Sequence, residues 1–237
     1  MDINHFIENF RTAFGSYELP VAFWYSRTPA AEPIKIKGCF FSGLKPAREG
    51  EIVSLDAKTI TCPGGKVYSG FTGMPDFLPN FVSVKEHYKE TPEQIVNFVN
   101  GLEVVRRDDE FINFVTIDKI DSLNNVEGLV FFANPDVISG LISWVFFDND
   151  KPDAVSVPFG SGCSTMVAQT VKENRSNGYR TFLGLFDPSV RPHVEANILL
   201  LAIPMSRFKD MYNTFTDSCL QGTHAWMKVK ERIENGA

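Results

Sequence analysis

Gly128-Leu-Val-Phe-Phe-Ala133, then Asn134-Pro135, and then Ala154-Val-Ser-Val-Pro-Phe159 form the stretch that decides the fold class. Its first six residues are an apolar run of the length of a buried strand. Asn134 offers a side-chain acceptor for a helix N-cap, and Pro135 is pre-set for a first helical turn. Apolar residues at 137, 138, 141, 142, 145 and 146 fall on one helix face, closed by Asp148-Asn149-Asp150. Lys151-Pro152-Asp153 turns the chain into a second strand over 154–159. Pro158 cannot donate to a ladder and belongs at that strand's end or at a sheet edge. Strand, helix and strand make a β-α-β unit, right-handed if both strands share a sheet. The expected fold is α/β or α+β, a mixed sheet with at least one βαβ unit.

Working outward, Gly160-Ser-Gly-Cys-Ser164 leads into a helical stretch from Thr165 to Val171 that ends near Asn177-Gly178. Strands are expected at 180–186 and 197–203. A helix then starts at Pro204-Met-Ser206 with Phe208, Met211, Tyr212 and Phe215 on its apolar face, and 223–233 reads as a last helix. Toward the N-terminus, Thr91-Pro-Glu-Gln94 combines a threonine N-cap, a proline at N1 and a glutamine that closes a capping box. Residues 20–25 and 51–55 read as strands, 38–44 as a short helix ending near Gly50, and 101–127 as mixed extended segments. Ile3, Phe6, Ile7, Phe10 and Phe14 form the stripe of an amphipathic helix that Gly15 stops. Strand, short helix and glycine-loop cysteine occur in that order twice, around Phe23 to Gly65 and around Phe131 to Cys163. The echo allows two related halves, 16–100 and 128–220, inside one globular unit of 237 residues.

Composition narrows the partners. The chain is 43% apolar and 22% charged, enough for a real core, and its 21 Phe exceed its 3 Trp and 6 Tyr. Phe lacks a polar handle and belongs in cores or apolar pockets. A net charge of −6, with no clustered Lys and Arg, argues against nucleic acid. The densest runs, Arg106-Arg107-Asp108-Asp109-Glu110 and Lys228-Val-Lys-Glu-Arg232, mix signs and read as solvated surface. No secretory signal is present, and no apolar run reaches the ~20 residues that span a bilayer. A cytoplasmic address follows, where four cysteines are expected to be thiols.

Chemistry concentrates in two loops. In Gly160-Ser-Gly-Cys-Ser164 a glycine-rich turn meets a helix start, which exposes N–H groups to an anion and lowers the pKa of a thiol such as Cys163. The dinucleotide fingerprint is only half present: Gly160 and Gly162 fit, Thr165 replaces the third small residue, and Asp187 stands near the distance of the ribose-binding acid. In Cys62-Pro-Gly-Gly-Lys66, Pro63-Gly64 reads as a turn and Gly65 permits a positive φ or a close approach to a ligand. A phosphate loop is not completed there, because Val67 stands where Ser or Thr belongs. Each loop also reads as an ordinary turn with a packed cysteine. Arg180 and Arg191 are candidate forks for a carboxylate or phosphate, or surface ion-pair partners. No metal site is expected: Cys39, Cys62, Cys163 and Cys219 are far apart, and His5, His87, His193 and His224 are scattered.

The motifs together resemble a known family. Cys39 through Gly43, Ala47-Arg-Glu-Gly50, Cys62-Pro-Gly-Gly65 and Gly70-Phe71 are similar to the family called domain of unknown function 169. So are Phe131-Phe-Ala-Asn-Pro135, the Gly160–Cys163 loop and the Leu200–Pro204 strand. The likeness runs from about Leu19 to the last helix. It implies a prokaryotic, cytosolic, full-length domain in which Cys62 and its glycines recur, and it brings no catalytic assignment. The leading expectation is a small anionic ligand or cofactor of unknown identity, held between the two glycine loops by Gly64, Gly65, Gly160, Ser161, Gly162 and Ser164. One alternative is a thiol- or metal-dependent enzyme using Cys62 and Cys163. Another is a non-catalytic structural or homo-oligomeric module.

Overall fold

The computed structural model describes residues 1–107 and 110–235, so Asp108 and Asp109 of the mixed-charge run lie outside the described residues. Seven strands form one sheet: β1 (Val21–Ser26), β2 (Val53–Leu55), β3 (Phe111–Thr116), β4 (Val126–Ala133), β5 (Val155–Ser156), β6 (Thr181–Gly184) and β7 (Leu199–Pro204). Their spatial order is β2-β3-β1-β4-β7-β6-β5. Every neighbouring pair is antiparallel except β5 with β6. Because β7 opposes both β4 and β6, strands β4, β5 and β6 all run the same way. The unit read at 128–159 therefore exists, but its crossover passes over β7 and β6 to reach the sheet edge. A tighter β-α-β unit follows it, from β5 to the adjacent β6. The edge position of β5 is where Pro158, just beyond it, costs no ladder bond.

Nine α-helices are found among the described residues: α1 (Ile3–Phe14), α2 (Lys45–Arg48), α3 (Pro63–Tyr68), α4 (Leu78–Asn80), α5 (Pro92–Gly101), α6 (Pro135–Phe147), α7 (Thr170–Arg175), α8 (Met205–Tyr212) and α9 (His224–Glu234). They divide between the two faces of the sheet because strand side chains alternate. Phe23, Val130, Phe132, Leu200 and Ala202 face one core, which α2, α3, α5 and α7 cover. Ala22, Leu129, Phe131, Leu201 and Ile203 face the other, under α1, α6, α8 and α9. Cross-strand registers Val21–Val130 and Val130–Ala202 keep one face in line. The result is a three-layer α/β/α architecture.

Local rules account for several element ends. The Asp2 side chain accepts from the N–H groups of Asn4 and His5 to open α1, and Gly15 at φ +65° ends it. Both halves of the Thr91–Gln94 capping box are present at α5. The apolar face expected for α6 needs correction, since Trp144 is fully buried and Phe146 is exposed. The helix is covered on a second side, where Trp226 of α9 lies over Gly140. Trp144 also donates its indole N–H to the Met211 carbonyl at 3.1 Å. Its ring stands edge-on to Phe215 at 4.7 Å, and burying such a side chain contributes about 2–3 kcal/mol.

The sheet carries an internal similarity of its own. Strands β1, β2 and β3 have the same order and sense as β4, β6 and β7, on either side of the antiparallel β1–β4 pair. The cysteine loops do not follow it: Cys62 comes after β2, whereas Cys163 comes before β6. Among the described residues no helix is long and apolar enough to cross a membrane.

Candidate functional site

The first loop is tighter than a turn. Cys62 is the N-cap of α3, Pro63 occupies its first position, and the Cys62 Sγ accepts from the Gly65 N–H at 3.4 Å. Pro63-Gly64 thus opens a helix instead of making the expected turn. Gly65 has no positive φ. A Cβ there would lie 3.1 Å from Ile60 and Phe40, so the close approach is to the core and not to a ligand.

The second loop leaves β5 and enters helix at Gly162, continuing as the π-helical segment Ser164–Gln169. Three backbone donors at its helical end are used internally. The N–H groups of Ser164 and Thr165 donate to the Ser161 carbonyl at 2.8 and 3.3 Å, and the Ser164 hydroxyl donates to the same oxygen. The Gly162 N–H donates to Asp187 Oδ2 at 2.9 Å. Asp187 is buried and also accepts from the Val190 N–H at 3.2 Å and from the Ser189 hydroxyl. The anion at this helix start is therefore the protein's own carboxylate. Gly162 is required by packing, because a Cβ would lie 2.7 Å from the Phe41 ring. Gly162, Ser164 and Gly65 do not reach the space between the loops.

Cys62, Gly64, Gly160 and Ser161 do reach it. They line one cavity of about 460 Å³, together with Cys39 and Asp187. Its other walls are largely apolar: Phe77 just before α4, Leu78 in it, Phe81 from the π-helical segment that follows, Ile95 and Phe98 from α5, and Phe159. Phe77, Phe81 and Phe159 are also exposed at the rim. Polar groups gather at one end. Tyr68 and Ser161 both line this end, and Ser161 Oγ lies 3.4 Å from Cys163 Sγ. Tyr88 and Ser189 line the wall as well, and the Ser189 hydroxyl donates to Asp187. The charged residues on the wall are Glu86, Lys89 and Asp187.

The thiols differ. Cys163 is buried beneath Ser161 and does not line the cavity. Burial pushes its pKa well above the ordinary thiol value, and the neighbouring Cys62 adds to the shift, while the Ser161 bond works the other way. The lowered pKa expected at a helix start is overturned, because loss of water outweighs the field of a short helical turn. Burial likewise raises the Tyr68 hydroxyl. Cys62 stays half-buried on the cavity wall.

Two candidates lie elsewhere. Arg180 precedes β6, at the end of that strand away from the loop, and pairs with Asp153 at 2.7 Å on the surface. The Arg191 fork donates to the carbonyls of Ile198, Glu195 and Ala196, at 2.6, 3.1 and 2.6 Å, and ties down the loop before β7. Neither faces the cavity. Among the described residues no group of three or more His, Cys, Asp and Glu side chains is arranged to hold a metal ion.

Sequence reasoning missed Tyr68, Ile95, Phe98 and the whole Phe77–Val82 wall. Ile95, Phe98, Val99 and Leu102 do show helical spacing, but that pattern reads equally as core. The sequence matches the model of the family called domain of unknown function 169, described as uncharacterised ArCR, over residues 9–214. No curated protein and no solved structure matches the chain.

Proposed function

The chain belongs to that uncharacterised family, and on this premise we propose that it binds a small, mainly apolar molecule with one neutral polar end. The observation that carries the reading is the cavity where the two loops meet, whose volume lies within the ~300–1,000 Å³ usual for ligand pockets. Aromatic and aliphatic walls hold the body of the ligand. The Ser161, Tyr68 and Ser189 hydroxyls, with the Cys39 and Cys62 thiols, meet its polar end. An anionic ligand is disfavoured, because the Gly162, Ser164 and Thr165 N–H groups are taken by Asp187 and Ser161 and because Glu86 and Asp187 share the wall with a single lysine, Lys89. The protein works in the cytosol in this reading, where its thiols remain reduced.

Two fluorescent probes of similar shape test this. The neutral N-phenyl-1-naphthylamine is expected to bind saturably at one site, at least ~10-fold more tightly than anionic 8-anilino-1-naphthalenesulfonate, a difference of about 1.4 kcal/mol. Tighter binding of the sulfonate, or no saturable binding of the neutral probe, overturns the reading.

A further inference from the structure

Three of the four cysteines gather at one core, Cys163 within it and Cys39 and Cys62 packed against it. Cys163 is closed off at 5% exposure, whereas Cys39 and Cys62 both stand on the cavity wall. Cys219 packs against the opposite core.

The backbone brings Cys39 and Cys62 together. Ile36 and Ile60 form a parallel bridge, and the Ile36 N–H donates to the Thr59 carbonyl at 2.9 Å. The Gly38 N–H donates to Thr61 Oγ1 at 3.2 Å, and the Thr61 hydroxyl donates to the Ile36 carbonyl at 2.9 Å. A single parallel bridge therefore holds the two segments side by side, and each reaches a cysteine within three residues, on one side through a bend at Gly38 (φ +83°). Cys39 caps the 3-10 turn Phe40–Gly43 and Cys62 caps α3, both in extended conformation. Just beyond them Gly65 fits against Phe40, where an added Cβ would lie 3.2 Å from the Phe40 Cβ. The chains flanking the two thiols are thus in contact on both sides.

We propose that Cys39 and Cys62 are a redox-active dithiol that closes into a reversible disulfide on the cavity wall when a peroxide enters. Cys62 reacts first. Its half-buried sulfur attacks one peroxide oxygen, the O–O bond breaks, and sulfenic acid and one water form. The Cys39 sulfur then displaces that oxygen as a second water, and the S–S bond forms. Two thiols lose two electrons and two protons, and the peroxide is reduced to two waters. Burial raises the Cys39 thiol and lowers its thiolate fraction, which argues against Cys39 making the first attack. Cys163, the partner that glycine-loop reasoning favours for Cys62, takes no part. The disulfide itself does not depend on the ligand reading; only its effect on probe binding rests on it.

The test treats wild-type protein with a small excess of hydrogen peroxide, alkylates the remaining thiols after unfolding, and maps the peptides by mass. The expected result is the loss of two hydrogen masses, a Cys39–Cys62 cross-linked peptide, alkylated Cys163 and Cys219, and full reversal by dithiothreitol. Cys163→Ser should keep the cross-link, and Cys39→Ser should instead accumulate oxidised Cys62. A cross-link through Cys163, Cys62 over-oxidised beside a free Cys39 in the wild type, or no oxidation of Cys62 ahead of Cys219 would overturn the proposal. Mass mapping needs no ligand, so failure of the disulfide and failure of the binding reading are distinguished. If both hold, the oxidised protein binds N-phenyl-1-naphthylamine more weakly than the reduced protein.

Discussion

Asp187 occupies the position that the Gly160–Ser164 loop offers to an anion. Three donors converge on it from Gly162, Ser189 and Val190. Replacing it with alanine leaves buried donors unmet, each costing about 1–3 kcal/mol. Asp187→Ala should lower stability by about 3 kcal/mol in urea with an unchanged slope; a loss under about 1 kcal/mol contradicts the role assigned. A second carboxylate is set by its partner. Burial alone would raise Asp148, but hydrogen bonds from Arg207 and Asn149 outweigh it and hold the carboxyl below its ordinary value. A depressed folded pKa stabilises the fold above the unfolded value of about 3.9 and loses that contribution as pH falls through the folded value. Wild type should therefore lose more stability than Asp148→Asn between pH 5 and pH 2. Parallel denaturation curves in acid check this, and equal losses count against it. Single residues also mark the limit of reading a sequence. The two glycine loops that carry Cys62 and Gly160 were legible from residue spacing, but Asp187 finds the second loop only through a contact 25 residues away.

Helix α5 links capping to the cavity. Its start at Thr91 was fully legible, because a capping box depends on four adjacent residues. Thr91→Ala should cost about 1 kcal/mol. Since α5 carries Ile95 and Phe98 into the wall, the same variant should weaken binding of the neutral probe. A destabilised variant with unchanged probe affinity would show that α5 shapes no part of the site. Strands β1 and β4 and helices α1 and α6 were equally readable, because local pattern dictates them. The two π-helical segments, Phe81–Lys85 and Ser164–Gln169, were not. A π-turn has no distinct apolar period, and the first of them builds the wall that sequence analysis missed. The buried face of α6 was misplaced for a related reason: α9 adds a second covered side, which periodicity assuming one side cannot reveal.

At the scale of the whole molecule, the α/β class followed from one β-α-β reading, while the strand order did not. Strand β7 inserts between β4 and β6, and that choice depends on pairing across the entire sheet. The same arrangement brings the end of β6 to the loop after β5, which is how Asp187 and Ser161 come to share a cavity with Cys62. In the proposed function this cavity, and no other apolar surface, receives the ligand. Phe81 and Phe147 are equally exposed at 47%, but only Phe81 belongs to the cavity wall. A carboxylate on an apolar wall repels an apolar guest, because the charge must be desolvated. The most direct measurement is therefore a titration of N-phenyl-1-naphthylamine into wild type, Phe81→Asp and Phe147→Asp. The predicted result is one saturable site that Phe81→Asp weakens at least ~10-fold, by about 1.4 kcal/mol, and that Phe147→Asp leaves intact. Equal binding by all three proteins, or loss only in Phe147→Asp, would contradict the account.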